Sequence, residues 1–357
     1  MKIAYVINSV EGGGAALPVP AITSVMRAAG HDVTVLALTR RDGRAIGPMR
    51  KAGLDVRVRE GSRTDHIRAL TWLDHTIAEL RPDVIWTSLT RATLLGQIVG
   101  WRRQLPVVSW QHSARLKPAN ARLLRLFRNR SRLWIADSTC VEQETRAKLR
   151  VASDRLVCWP IFRADETRST AKPWTRGQTI RIGTLGRLHP VKGFDTLCEA
   201  VACLKIQADL PPFIVHIGGE GAERTRLQER ITREKLPIVL DGYIEKTDEF
   251  LSGLHLYVQP SHWEGLCLAA HEAMLAGLPI VASDAGEIPF TVTKACGRIV
   301  PPKDGTALAA ALGDLLRQPE NLATMGQNAR HRVLDRFSAD AFDRRGREIL
   351  LRVEAGQ

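Results

Sequence analysis

Short apolar runs, each followed by a helix-length segment, recur along the chain, and this alternation narrows the possible folds more than any single motif. The first run is Lys2–Asn8, which is followed by a glycine turn at Gly12-Gly13-Gly14, a helical stretch to Ala29 and a second run at Val33–Leu38. That is a βαβ unit of buried, parallel strands. Strand-like runs return at Val56–Val58, Val84–Trp86, Val107–Ser109 and Leu133–Ala136. A mostly parallel sheet covered by helices is the architecture this pattern favours.

Between Pro160 and Pro173 the pattern lapses into a polar stretch that reads as a connection. It then restarts, with strands expected at Ile180–Leu185, Phe213–Gly218, Ile238–Leu240, Leu254–Gln259 and Ile280–Ala282, and helices near 193–207, 222–235 and 267–276. A second α/β sheet follows the first, so domains are expected over 1–162 and 163–337. From Thr306 onward the sequence reads as helical, ending in the Arg-rich amphipathic stretch Asp340–Val353. At 357 residues, two domains are also the default on length.

Charge is distributed unevenly. Residues 1–170 hold 28 Lys+Arg against 15 Asp+Glu, and 171–357 hold 23 against 23, so the whole net charge of +13 belongs to the first half. Such asymmetry points to an anionic partner, whether phospholipid, phosphorylated acceptor or nucleic acid. Few aromatics and no recognised binding motif argue against nucleic acid. The six cysteines show no CxxC pair and no regular spacing, so neither a zinc site nor a disulfide framework is expected, and they read as reduced and cytoplasmic. The opening apolar run is too short for a signal-peptide core, and no stretch approaches the ~20 apolar residues of a membrane span.

Three segments at expected strand ends carry candidate chemistry. In Tyr257–Ser283 a strand ends at Pro260, a loop carries Glu264, and a helix begins near Leu266 with Glu272 about one turn inside it. Backbone N–H groups around Gly265, Leu266 and Cys267 form a cradle suited to a diphosphate, and the carboxylates can accept hydrogen bonds from flanking sugar hydroxyls. On spacing alone the ordinary reading is favoured, with Glu272 complementing a helix dipole and Glu264 on a solvated loop. The second segment, Gly186–Gly193, places Arg187 and Lys192 at the carboxyl edge of the second sheet, where open α/β sheets bind ligands. An isolated Arg/Lys pair is otherwise an ordinary solvated turn. The third is Gly218-Gly219-Glu220-Gly221, weak evidence by itself.

Taken together and in this order, these segments resemble the donor half of a GT-B glycosyltransferase, and specifically the retaining glycosyltransferase family 4 (GT4). The resemblance covers nearly the whole chain: Gly12–Gly14, His112, Gly186-Arg187-Leu188 with Lys192-Gly193, Gly218–Gly221, Gly242-Tyr243, Glu264-Gly265-Leu266, Glu272-Ala273-Met274, Gly277-Leu278-Pro279, Val300-Pro301-Pro302 and Arg336-Phe337-Ser338. The two glutamates stand eight positions apart, as in that family's EX7E motif. The resemblance implies two doubly wound, Rossmann-like domains facing a central cleft, with 1–162 binding acceptor, 163–337 binding the nucleotide sugar, and 338–357 forming a helix that crosses back to the first domain. It implies that Glu272 binds ribose hydroxyls, Glu264 the transferred sugar, and Arg187 and Lys192 the diphosphate, with Tyr243 and Ile244 near the base. His112 would lie near the reacting sugar, and the Gly12–Gly14 loop would offer N–H groups to phosphate or acceptor.

The chain departs from the family pattern at several positions. Cys267 stands where Gly or Pro is usual, His271 where an apolar residue is commoner, and Ala15-Ala16 where Ala-Glu is usual. Gly286-Glu287 replaces two glycines, and Phe290 follows Pro289 where Glu is frequent. A basic, helix-like run, Asn120–Trp134, interleaves Leu123, Leu124, Leu126 and Phe127 with Arg122, Arg125, Arg128, Arg130 and Arg132. Such a helix suits an anionic membrane surface, and also a core-packed helix with a solvated charged face. The expected activity is metal-independent, retaining transfer of a hexose-type sugar from a UDP-sugar, with GDP-mannose second, to a cell-surface glycan or lipid-linked acceptor, without a cofactor. The expected place is the cytoplasm, peripheral to the cytoplasmic face of the inner membrane. The alternatives are a small-molecule acceptor, a nucleotide-sugar epimerase, or a non-catalytic glycan- or nucleic-acid-binding protein.

Overall fold

A computed structural model describes residues 1–112 and 116–356. The chain divides into two compact units, the first made of Met1–Arg163 with Asp340–Gln357, and the second of Ala164–Ala339.

Unit one is built on seven strands: β1 Lys2–Ile7, β2 Asp32–Ala37, β3 Asp55–Val58, β4 Val84–Ser88, β5 Val107–Gln111, β6 Leu133–Ala136 and β7 Leu156–Cys158. All pair in parallel, in the order β3-β2-β1-β4-β5-β6-β7. The central strands are buried on both faces, as their unbroken apolar runs require. Trp86 of β4, Trp110 of β5 and Trp159, just beyond β7, form one aromatic cluster, in which Trp110 stacks on Trp159 at 4.8 Å. The last helix, Ala339–Glu354, closes this face of unit one. Phe342 packs on Trp159 at 5.2 Å, Gly346 leaves room for the same indole, and Arg345 Nε donates to the Cys158 carbonyl at 2.8 Å.

Unit two carries six strands: β8 Ile180–Leu185, β9 Phe213–Gly218, β10 Ile238–Gly242, β11 Leu256–Gln259, β12 Ile280–Ser283 and β13 Gly297–Val300. They too are parallel, in the order β10-β9-β8-β11-β12-β13. The helices Phe194–Leu204 and Gly305–Leu316 bury Leu197, Val201, Leu204, Leu308 and Leu312 against one core with Ile182, Val215 and Val258. Each such side chain contributes about 1.5–3 kcal/mol on burial. In both sheets the strand order reverses once, between β1 and β4 and between β8 and β11. Those reversal points are where open α/β sheets leave a crevice at the strands' carboxyl ends.

Two strands were not expected from sequence: β7, of three residues, and β13, whose Gly297-Arg298 start interrupts the apolar run. The basic run, read as helix-like over Asn120–Trp134, is a helix at Pro118–Phe127 and a 3-10 turn at Arg128–Arg130, and its end enters β6, the strand expected at Leu133–Ala136, which pairs with β5 and β7. No helix among the described residues is long and apolar enough to cross a membrane.

Candidate functional site

The reversal point of the second sheet joins the ends of β8 and β11, and both carry the residues singled out from sequence. Beyond β8, Gly186-Arg187-Leu188 leads into a short turn at Pro190–Lys192 and the helix Phe194–Leu204. Gly193 links them with φ +66° and lies against the loop after β11, where a Cβ would fall on the Pro260 carbonyl oxygen. Only glycine gives both the left-handed turn and this approach. The turn is thereby pressed against the β11 loop, and His262 N donates to the Val191 carbonyl at 2.9 Å.

That contact brings Lys192 to Glu264, with Nζ 2.7 Å from Oε1 and the two side chains 21% and 8% exposed. Burial works against the Lys192 charge, but Glu264 more than offsets it, and the ammonium is held above its ordinary pKa despite opposition from Arg187. Glu264 is further fixed by a relay along β11. The Leu185 amide donates to Tyr257 Oη at 2.9 Å, and Tyr257 Oη to Gln259 Oε1 at 3.1 Å. Gln259 Nε2 donates to Ser261 Oγ at 2.8 Å, and Ser261 Oγ to Glu264 Oε1 at 2.6 Å. Tyr257 and Gln259 alternate along β11, so its two-residue period sets them on one face, and Ser261 lies two residues beyond the strand's end. All three are fully buried. Sequence reasoning missed Gln259 and Ser261. The available signal was their alternation with Tyr257 at the end of an otherwise apolar run.

Cys267 has φ +65° and ψ +73° and caps the helix Leu268–Leu275. Burial and the adjacent Glu264 push its thiol far up, so it is neutral beside the ion pair, while Lys192 pulls the other way. Glu272, in the second turn of that helix, has Oε1 3.6 Å from Arg168 Nη1. Burial raises its pKa, Arg168 lowers it and Asp248 adds to the rise, leaving it above the ordinary value. Arg168 belongs to the polar stretch that reads as a connection. This stretch is pinned along unit two, with Ala164 N donating to Phe337 O at 2.8 Å and Ala171 N to Ala276 O at 2.7 Å.

The third glycine segment closes the same edge. Gly219, at φ +145°, has its α-carbon over the Gly186 carbonyl, and its amide donates to Gly242 O at 2.6 Å. Ile244 lies over Gly218, where a Cβ would displace it, and Tyr243 is half exposed beside it. Arg187 is exposed. The loops after β8, β9, β10 and β11 therefore bring Arg187, Lys192, Gly218, Gly219, Tyr243, Ile244, Glu264, Gly265, Leu266, Cys267 and Glu272 to one edge of unit two.

The remaining candidates lie in unit one. His112 follows β5 and stacks on Trp110 at 5.6 Å. Its Nε2 is 2.8 Å from Ser88 Oγ and its Nδ1 3.3 Å from Asp137 Oδ2. The connectivity is that of a serine-hydrolase triad, but Ser88 is fully buried, which denies a substrate carbonyl access to its hydroxyl. The arrangement instead fixes the imidazole, holding Nδ1 against Asp137 and Nε2 against Ser88. In the Gly12–Gly14 loop, the Gly12 amide donates to Asp42 Oδ1 at 3.0 Å and the Gly13 amide to Glu11 O at 2.9 Å. Two of its three amides are thus already used within the unit.

Models of two sequence families match successive parts of the chain: "Glycosyltransferase Family 4" over residues 12–162 and "Glycosyl transferases group 1" over 166–332. The chain belongs to glycosyltransferase family 4. It is 35% identical over 161 residues to the MMP alpha-(1->4)-mannosyltransferase of Mycolicibacterium hassiacum, covering 42% of this chain and 37% of that one. It is 28% identical over 200 residues to the GDP-mannose-dependent monoacylated alpha-(1-6)-phosphatidylinositol monomannoside mannosyltransferase of Corynebacterium glutamicum, covering 54% and 52%. The matches thus span about half or less of these curated relatives. The fold is that of the crystal structure of Anabaena HepE in complex with UDP and glucose, with a TM-score of 0.86, 21% identity, and coverage of 98% of this chain and 99% of that one. This GT4 chain accordingly has the GT-B fold, with two parallel α/β sheets.

Proposed function

We propose that this GT4 chain transfers a hexose-type sugar, with retention and without a metal, from a nucleotide sugar to a cell-surface glycan or lipid-linked acceptor. The observation that carries the reading is the Lys192–Glu264 pair at the reversal point of the second sheet. A half-buried ammonium held charged beside a carboxylate suits a substrate whose diphosphate adjoins a sugar. In the proposed reaction the bond from the anomeric carbon to the diphosphate oxygen breaks, and negative charge grows on the leaving phosphate. Lys192 and Arg187 are preorganised to stabilise that charge. The leaving phosphate takes the proton of the acceptor hydroxyl as it attacks from the same face, which preserves the anomeric configuration. Glu264 accepts from hydroxyls of the transferred sugar and Glu272 from the ribose, while Tyr243 and Ile244 flank the base. His112 and the Gly12–Gly14 loop are assigned to the acceptor half.

For the donor, a UDP-sugar is the first reading, in keeping with the UDP and glucose bound by HepE. GDP-mannose is the second, favoured by the name of the Corynebacterium relative. A thermal melting screen against UDP, GDP and ADP separates them. A ligand present at about 100 times its Kd adds about 2.7 kcal/mol of stability, a rise of several degrees. UDP or GDP is expected to give that rise and ADP to give none; indifference to all three would overturn the reading. Incubation with labelled donor then distinguishes net transfer from epimerisation or hydrolysis.

On the acceptor side, residues 84–136 contain nine arginines, one lysine and no acidic residue. The helix Pro118–Phe127 buries only Leu124, and leaves Leu123 44% and Leu126 72% exposed beside exposed Arg122 and Arg125. Trp101 is 64% exposed with Arg130 over its ring at 4.6 Å, whereas Arg128 and Arg132 are half-buried. Exposed leucine and tryptophan among cations suit an anionic bilayer surface, where each cation adds about 1 kcal/mol. The protein is proposed to dock peripherally on the cytoplasmic face of the inner membrane. It should float with vesicles containing phosphatidylglycerol and not with pure phosphatidylcholine, and Arg122→Glu/Arg125→Glu should weaken that flotation about tenfold or more. Equal behaviour towards both vesicles would count against docking.

A further inference from the structure

Unit two contains a buried polar chain that the proposed chemistry does not use. His271, 1% exposed, has Nδ1 2.9 Å from the Cys267 carbonyl and Nε2 3.0 Å from Thr291 Oγ1. Arg336 donates from Nη1 to the same Thr291 oxygen at 2.9 Å and from Nη2 to Glu287 Oε1 at 2.7 Å. Glu287 is also 1% exposed, and its backbone amide donates to the Gly265 carbonyl at 2.9 Å. The chain therefore starts on one carbonyl of the Glu264–Cys267 loop and ends on another.

Its proton positions follow from the acceptors. A carbonyl only accepts, so Nδ1 carries the hydrogen, and Nε2 of the neutral ring accepts from the Thr291 hydroxyl. Burial and Arg336 push the His271 pKa down to about 4, while the Cys267 carbonyl resists, so this arrangement holds at neutral pH. His271 also meets Phe337 edge-on at 4.9 Å, and Arg336 covers the same ring at 5.1 Å.

Packing alone does not call for this chemistry. Buried polar groups cost stability unless every one is satisfied, and an apolar residue at 271 would need no partner. His271 and Glu287 are two of the departures from the family pattern, 16 positions apart in sequence, and the fold joins them through Arg336. We infer that His271, Thr291, Arg336 and Glu287 form a positioning clamp that holds the Gly265 and Cys267 carbonyls. Through them it fixes Glu264 and the first turn of the helix Leu268–Leu275 for grip on the donor diphosphate. The inference rests on the donor-binding reading above.

UDP and GDP titrated by calorimetry into the full-length wild type, His271→Leu, His271→Asn and Thr291→Val test it. For whichever nucleotide the wild type binds, His271→Leu is expected to bind about tenfold more weakly, consistent with a lost buried side-chain hydrogen bond to the Cys267 carbonyl. His271→Asn keeps a donor at the Nδ1 position and should stay within about threefold of wild type, and Thr291→Val, which breaks the chain at its middle, should lose about threefold or more. In turnover, KM for the donor should rise while KM for the acceptor stays unchanged, a split that a general loss of folded protein does not produce. Should His271→Leu fail to fold, the Asn and Val variants decide by the same criteria. A wild type that binds neither nucleotide would sink the glycosyltransferase reading, and the clamp with it. Wild-type binding with unchanged affinity in folded His271→Leu, or in Thr291→Val where His271→Leu does not fold, would sink the clamp alone.

Discussion

Lys192→Ala is expected to lower the rate of sugar transfer by about a thousandfold, the upper end of what removal of one preorganised charge-stabilising donor costs. Its ammonium is half-buried at the edge of unit two, 2.7 Å from Glu264 and 21% exposed. The complication is stability. Removing one partner of a buried pair leaves the other uncompensated, at a cost of about 3–5 kcal/mol. Here Ser261 and Gln259 still donate to Glu264, at 2.6 and 3.4 Å, which places the loss at the low end of that range or below it. The double variant Lys192→Met/Glu264→Gln separates the effects, because it removes both charges and keeps the volume. Its melting temperature should return close to wild type while transfer stays abolished. Single-turnover rates measured with saturating donor would check this, and near-normal turnover in folded Lys192→Ala would refute the assignment.

The pH behaviour of the pair has a definite sign. Lys192 has a folded pKa above its ordinary 10.5. Its stabilising contribution is therefore complete below the unfolded value and is lost only as pH rises through the higher, folded one. Lys192 should give no change of stability around neutrality, so a loss there belongs to another group.

How much of this was legible in the sequence depended on the length of the signal. The long apolar runs of β1, β8 and β9 announce buried parallel strands, and the strand-end positions of Lys192, Gly218 and Glu264 follow from where those runs stop. The strands β7 and β13 do not, because Leu156–Cys158 is only three residues long and Gly297-Arg298 breaks the apolar run of the other, so the pairing of both is decided by the neighbouring strand. In the basic run arginine and leucine interleave at helical spacing, but the helix stops at Phe127, short of β6, whose apolar run Leu133–Ala136 was itself readable as a strand.

At the site, the residues that touch a ligand by chemical type were easier to find than those that hold them. Glu264 and Lys192 are conspicuous as charges at a sheet edge, whereas Gln259 is the last residue of an apolar strand and Ser261 lies in the loop just past it. Arg168 had no signal at all, since its partner Glu272 lies more than a hundred positions away in sequence. His271 and Glu287 were visible only as departures from a family pattern. Their link through Arg336 is a property of the fold.

Glu272→Ala is expected to weaken binding of the nucleotide part of the donor about a hundredfold. A hydrogen bond to a charged group contributes about 1.5–3 kcal/mol, and the proposed role gives this carboxylate two ribose hydroxyls. Because that role is ground-state binding, KM for the donor should rise far more than kcat falls. Acidity supplies an independent check. Burial, opposed by Arg168, holds the Glu272 pKa above the ordinary 4.5. The carboxylate therefore begins to take up a proton at a higher pH than an exposed glutamate would, and the protonated form has one acceptor fewer for the ribose. Wild-type affinity for UDP or GDP should accordingly decline on the acid side of neutrality before other glutamates titrate, while Glu272→Gln, which cannot titrate, should bind weakly with a flat profile. Arg168→Met should displace the wild-type decline towards higher pH, because it removes the cation that lowers the Glu272 pKa. Calorimetric titration across pH measures all three, and identical profiles for wild type and Glu272→Gln would show that this carboxylate does not hold the nucleotide.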